Sequence, residues 1–274
     1  PKNILLEHSA KNTAPAICWA AARIYHLDPQ ATMICLPSDH LILNQIKFHH
    51  AMNKALRLAS QGFLVTFGIS PTRAETGYGY LQTLTKKIEG KNILLVKKFR
   101  EKPSKTQAER FIQTGSYFWN SGMFVWQAQS ILDEFKKHLP KVYSLVGANS
   151  SYPHILRCWS RLPKISIDYG VLEKSNNVVA VRATNLGWSD VGSWESLFDT
   201  LSKDKNGNVF LADVQGIDVK NSLVYGHNRS IALIGVHNCI VVDTKDALLV
   251  CHKKDSQKVK ELVEYLMKKR SKLL

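Results

Sequence analysis

Acidic residues are scarce in this chain: 22 Asp and Glu stand against 37 Lys and Arg, a formal net charge of +15 over 274 residues. No apolar run reaches the roughly 20 residues that span a bilayer, so a membrane location is not expected. The start, Pro1-Lys2-Asn3-Ile4, lacks the basic, then apolar, then small-residue pattern of a secretory signal. Cysteine is sparse and unpatterned. None of Cys18, Cys35, Cys158, Cys239 and Cys251 belongs to a CxxC pair, and no Cys/His cluster has zinc-ligand spacing. That argues against a disulfide framework or a zinc site and for reduced thiols in a cytoplasmic protein. No long stretch is biased in composition, which argues against extended disorder. The basic excess comes without an aromatic-interleaved RNA motif or a zinc finger, so nucleic acid is not the expected partner. The lysines fall in exposed-looking places: Lys86-Lys87, Lys97-Lys98, Lys136-Lys137 and the tail from Lys253 to Lys272. The tail reads as a helix with Val259, Leu262, Val263 and Leu266 on one face and its lysines on the wet one.

What is present suits one large domain and a smaller one. Hydrophobic residues make up 45% of the chain, enough for a sizeable core. Over the first two thirds, helical and strand patterns alternate. Asn12-Thr13 can cap a helix with Pro15 in its first turn, and Thr32–Leu36 is a short buried strand ending at Pro37. A helix over about Gln45 to Ser60 precedes the strand Phe63–Ile69; Ile93–Val96 and Asn177–Val181 are further strands. The alternation predicts an α/β domain over residues 1–201, Rossmann-like, with a mostly parallel mixed sheet. After Leu201 the turn signal Asp204-Lys205-Asn206-Gly207-Asn208 introduces short β-like runs broken by Gly and Asn. Residues 202–274 therefore read as a small β-rich, β-helix-like module closed by the terminal helix.

Several polar segments interrupt these apolar frames. Pro37-Ser38-Asp39-His40 follows a buried strand, where ligands bind in open α/β sheets, and Asp39 there can hold a Mg²⁺ that bridges phosphates; the plainer reading is a helix cap. Thr76-Gly77-Tyr78-Gly79-Tyr80 pairs glycines that let a backbone approach a ligand with rings suited to a sugar, or else makes a hairpin turn. Glu101-Lys102, after a strand, offers a cation for a sugar phosphate and an acceptor for sugar hydroxyls, or else a surface ion pair. Asn120 is one amide among aromatics, and Ser166–Lys174 is polar within an apolar frame. Gly187–Trp194 is a tight turn with one carboxylate, Asp190, a candidate second metal ligand opposite Asp39.

In order, PSDH, FGISPTRAETGYGYL, FREKP, YFWNSGMFVW, SIDYGVLEKS and GWSDVGSW resemble the mannose-1-phosphate guanylyltransferase family. ILLEHSAKNTAPA is similar to that family's EPxxRNTAPA segment, and the β-rich tail with VVDTKDALLVC to its carboxy-terminal module. The resemblance runs over essentially the whole chain. It implies an enzyme that joins mannose 1-phosphate and GTP into GDP-mannose and pyrophosphate without a covalent intermediate. It also implies Mg²⁺ held by Asp39 and Asp190, and Lys102 at the sugar phosphate. Gly79, Glu101, Asn120 and Glu173 would then contact the sugar, Tyr78 and Asp168 would neighbour that pocket, and Asn12 and Thr13 would lie toward the nucleotide. A homodimer supported by the β module is a further implication.

Three departures qualify it. The family's glycine-rich loop, GGxGTRLxPLS followed by PK, has no match; it is expected upstream of Pro1, and without it little GTP turnover is expected. Lys11 and His8 stand where the family often has Arg and Pro, and Lys lacks the bidentate fork of Arg. No isomerase domain follows the β module, so no phosphomannose isomerase activity is expected. The competing readings are a nucleotide-sugar sensor without catalysis, a basic nucleic-acid binder, and a transferase for another nucleotide and hexose phosphate.

Overall fold

The computed structural model describes residues 3–87, 93–147 and 151–269, and of residues 85–87 the backbone alone. The end of the basic tail, 270–274, and the side chains of Lys86 and Lys87 lie outside the described residues. In chain order the elements are α1 (Thr13–Leu27), β1 (Thr32–Cys35), β2 (Leu41–Ile42), α2 (Gln45–Ala59), β3 (Leu64–Ile69), β4 (Tyr80–Lys87) and β5 (Ile93–Arg100). Then follow α3 (Lys105–Thr114), β6 (Tyr117–Gln127), α4 (Ala128–His138), α5 (Pro140–Val142), α6 (Tyr152–Cys158), β7 (Val178–Ala183), β8 (Trp188–Ser189) and α7 (Trp194–Thr200). The chain closes with β9 (Val209–Leu211), β10 (Val214–Ile217), β11 (Leu223–Gly226), β12 (Ile231–Ile234), β13 (Cys239–Asp243), β14 (Leu248–His252) and α8 (Val259–Lys268).

Two compact units result. The first comprises Pro1–Ser38 and Ile42–Leu186; the second comprises Asp39–Leu41 and Gly187–Leu274. The composition changes at about Leu201, yet the second unit already includes α7. The reason is packing: Phe198 is fully buried with Val209, Leu223, Ile240 and Val242, and Trp194, Leu197 and Leu201 pack against that cluster.

The first unit is built on a six-stranded mixed sheet in the order β1-β6-β3-β7-β5-β4. It is less parallel than the alternation of helices and strands implies. β3 and β7 run parallel, with Leu64 opposite Val178. The long strand β6 instead runs antiparallel to both β1 and β3, and β4 and β5 form an antiparallel pair. Periodicity signals a strand but not its direction, and β5 and β6 both run against the other four strands. Helix α1 buries Ala14, Cys18, Ala21 and Ala22, spaced at about one and two helical turns, and packs beside α4, which buries Ile131, Leu132 and Phe135. Trp126 and Trp159 are fully buried in the same core.

In the second unit β9, β11 and β13 stack in parallel, β14 closes them antiparallel, and β10 pairs in parallel with β12. Short parallel strands stacked by successive turns are what a β-helix-like module requires. All five cysteines are free. Burial pushes the Cys35 thiol up to about 12, so it stays protonated and inert near neutrality. Among the described residues no helix is long and apolar enough to cross a membrane.

Candidate active site

In the first unit a polar cluster forms where β5 ends. Lys102 adopts φ 46°, a left-handed conformation that costs a residue with a Cβ, and its N–H donates to the Tyr78 carbonyl at 3.2 Å. Its ammonium lies 3.7 Å from Glu101 Oε1. Glu101 presses on the glycine turn: a Cβ on Gly79 would lie 2.5 Å from Glu101 Oε2 and 3.2 Å from the Phe99 ring. A side chain at 79 would have to push the Glu101 carboxylate aside and crowd the Phe99 ring. The Gly79 carbonyl accepts the Asn120 N–H at 2.8 Å, so the turn is bound to both the Lys102 and the Asn120 backbones.

Asn120 lies within β6, with Gly122 at φ 72° two residues further on. Its side chain links two groups. Its Oδ1 accepts the Thr66 hydroxyl at 2.8 Å, and its Nδ2 donates to Asp168 Oδ1 at 3.3 Å. Asp168 opens a π-helical turn, Asp168–Leu172, a rare geometry that recurs at functional sites. Burial holds the Asp168 carboxyl above its ordinary range, with Glu173 adding to the push against lowering by its own backbone, Ser166 and Lys102. Burial likewise raises Glu101 to about 7, reinforced by Asp168 and Glu173 and opposed by Lys102. Three carboxylates thus act on one another beside a single lysine. Such a set can accept sugar hydroxyls and meet a phosphate.

In the second unit Asp39 and Asp190 both bear on His40, each raising its pKa, although burial prevails and lowers it. The Trp188 indole N–H donates to His40 Nδ1 at 3.2 Å, and the two rings meet edge-on at 5.4 Å. That bond puts the proton of the neutral ring on Nε2. The Asp190 turn is tight. Val191 has φ 48°, unusual for a β-branched residue, and the Gly192 N–H donates to Asp190 Oδ1 at 3.1 Å. Two carboxylates that share one imidazole as neighbour supply hard oxygen ligands of the kind Mg²⁺ takes, one or two from protein and the rest from water and phosphate. Among the described residues no group of three or more His, Cys, Asp or Glu is placed to hold a metal ion.

Asn12 and Thr13 are engaged structurally. Asn12 Oδ1 caps α1 by accepting the Thr13 N–H at 2.9 Å, and Thr13 Oγ1 accepts the Ile167 N–H at 2.8 Å. Thr13 therefore fixes the residue just before Asp168. Lys11 donates to the Ser160 carbonyl at 3.0 Å. Sequence reasoning missed Thr66, His40 and Trp188 as parts of the site. Thr66 had a signal, being the polar residue in the apolar run of β3; the His40–Trp188 contact joins segments too far apart in sequence for spacing to reveal.

Known proteins match this chain along most of its length. The pattern of the Nucleotidyl transferase family matches residues 2–207, and that of the MannoseP isomerase/GMP-like beta-helix domain matches residues 213–266. Mannose-1-phosphate guanylyltransferase 2 of Escherichia coli O157:H7 is 39% identical over 96% of this chain and 58% of its own length. Xanthan biosynthesis protein XanB of Xanthomonas campestris pv. campestris (strain B100) is 40% identical over 97% of this chain and 57% of its own. The chain thus spans a little more than half the length of these curated relatives. The crystal structure of a mannose-1-phosphate geranyltransferase from Thermus thermophilus superposes with a TM-score of 0.84 at 31% identity, over 96% of this chain and 77% of that one.

Proposed function

The chain belongs to the nucleotidyl transferase family, with the β-helix module of its mannose-1-phosphate guanylyltransferases, and from that premise we propose that the protein makes GDP-mannose and pyrophosphate from GTP and mannose 1-phosphate. A phosphate oxygen of the sugar phosphate attacks the α-phosphorus of GTP. The bond from that phosphorus to the bridging oxygen breaks, and pyrophosphate leaves with the electron pair. The attacking oxygen is already anionic, so no general base is required, and catalysis rests on positioning and charge. Lys102 meets the sugar phosphate, while Glu101 and Glu173 accept hexose hydroxyls. Asn120 presents one amide N–H to the hexose while the other donates to Asp168 and its Oδ1 accepts the Thr66 hydroxyl. Gly79 brings backbone close to the ring, and Tyr78 flanks it. Asn12 and Thr13 shape the approach to the nucleotide from the start of α1.

Asp39 and Asp190 are the residues that would hold Mg²⁺, which when bound offsets charge on the phosphates. The observation that carries the reading is the strained Lys102 beside Glu101, bound by its backbone to the glycine turn against which the Glu101 carboxylate packs. Pyrophosphate release by the whole protein, measured over four nucleoside triphosphates and several hexose 1-phosphates, tests it. GTP with mannose 1-phosphate should be the best pair. A clear preference for another pair, or no release with any, overturns the proposal. The protein is further proposed to act in the cytoplasm and as a homodimer.

A further inference from the structure

The segment that joins β3 to β4 has no regular structure, yet it delivers Tyr78 and Gly79 to the cluster around Lys102. Something must fix its path. At its centre is Glu75, a carboxylate only 4% exposed. Its Oε1 accepts the Gly77 N–H at 3.0 Å, and its Oε2 accepts Arg73 Nε at 3.2 Å and Nη2 at 3.1 Å. Its backbone is held as firmly. The Tyr80 hydroxyl accepts the Glu75 N–H at 3.0 Å and donates to the Glu75 carbonyl at 2.9 Å, and Tyr80 itself is fully buried. Both ends of the 75–80 turn are thereby bonded to each other.

The clamp extends to the sugar side. The Arg73 guanidinium lies 5.9 Å from the centre of the Trp119 ring, and Tyr78 meets the same ring edge-on at 5.1 Å. Beyond the clamp the Tyr78 and Gly79 carbonyls receive the Lys102 and Asn120 N–H groups. A shift of the turn would therefore carry Lys102 and Asn120 with it. An ion pair with one partner buried and the other, Arg73, 32% exposed adds little stability alone. It is a good way to fix one geometry, since a buried carboxylate must keep every partner it has.

We propose that Glu75 is a positioning residue for the hexose phosphate: through Gly77 it sets the glycine turn against which Lys102 and Asn120 are registered. The inference rests on the sugar-site reading above. The decisive comparison is Glu75→Ala against the parent protein in two measurements: steady-state kinetics with both substrates, and amide hydrogen exchange of residues 75–80. Exchange there should quicken about tenfold or more, as expected when a local hydrogen-bonded unit opens. The KM for hexose 1-phosphate should rise about tenfold or more, with the KM for the nucleoside triphosphate changed by less than about twofold, because misplacement of about 1 Å is costly at the group it positions. Glu75→Gln keeps an acceptor for the Gly77 N–H and should restore most of the sugar KM. If Glu75→Ala does not fold, Tyr80→Phe removes the hydroxyl bonds at nearly constant volume and should move exchange and sugar KM in the same direction. Faster exchange with an unchanged sugar KM, or both KM values rising together, overturns the inference while leaving the sugar site intact. A parent protein that uses no hexose 1-phosphate sinks the sugar-site reading itself, and unchanged exchange in Glu75→Ala sinks the clamp whatever the substrate.

Discussion

Lys102 combines a charged head, 64% exposed as a side chain, with a strained backbone. Strain in a residue with a Cβ persists only where its surroundings impose it, and here they orient the ammonium. Replacing it by Met keeps the length and removes the charge. A charge-assisted contact to phosphate contributes about 1.5–3 kcal/mol, so the KM for hexose 1-phosphate should rise roughly 10- to 150-fold while the fold persists by circular dichroism. Glu101 gives a pH signature. Its pKa in the folded protein, about 7, exceeds its ordinary value of 4.5. The folded state therefore holds the proton more tightly than the unfolded one. Its contribution to stability is fully present below pH 4.5 and is lost as pH rises through about 7. Thermal melts of the parent protein should fall over that window, and Glu101→Gln, which cannot ionise, should flatten this part of the slope. An unchanged slope would show that Glu101 titrates as an ordinary surface carboxylate.

At the scale of elements, two short turns hold the candidate ligands, and the sequence exposed them unequally. The Gly187–Trp194 turn was legible because its Gly, Ser and Trp residues bracket one carboxylate. That the carboxylate is held by the Gly192 N–H was not, since it depends on Val191 entering the left-handed region. A Cβ at position 192 would lie 2.7 Å from Asp190 Oδ2. Gly192→Ala should therefore displace the carboxylate and weaken Mn²⁺ binding, used as a paramagnetic stand-in and read by electron paramagnetic resonance, by about tenfold. Val191→Gly should relieve the strain and leave that affinity nearly intact. Equal affinity in Gly192→Ala and the parent would remove Asp190 from the metal site. The strands themselves were mostly legible from apolar runs. The direction of β6 was not, nor was the place of Asn120 inside it, because hydrophobic pattern is blind to strand polarity and to bulges.

At the scale of the whole molecule, the remaining question is what covers the β-rich module. On the edge strand β14, Leu248 and Val250 point the same way, 56% and 60% exposed. On the paired strands β10 and β12, Ile217 and Ile234 stand opposite each other at 68% and 75% exposure. Helix α8 buries none of its residues, and its Leu262 and Met267 are 46% and 60% exposed. An open edge strand with aliphatic residues is a pairing site unless it is blocked, and β14 carries Leu and Val where charge or proline would protect it. The sequence showed the strands but not this face, because which side of a β-helix-like module meets solvent depends on how its turns stack. A second copy of the chain supplies a matching surface by symmetry. Light scattering at micromolar concentration should therefore give twice the 30.9 kDa chain mass. Val250→Lys, which places a charge on the outward face of the edge, should shift the mass to one chain without lowering the helix and strand content. A parent protein that scatters as one chain would remove the homodimer; a Val250→Lys variant that still scatters as two would move its interface away from β14.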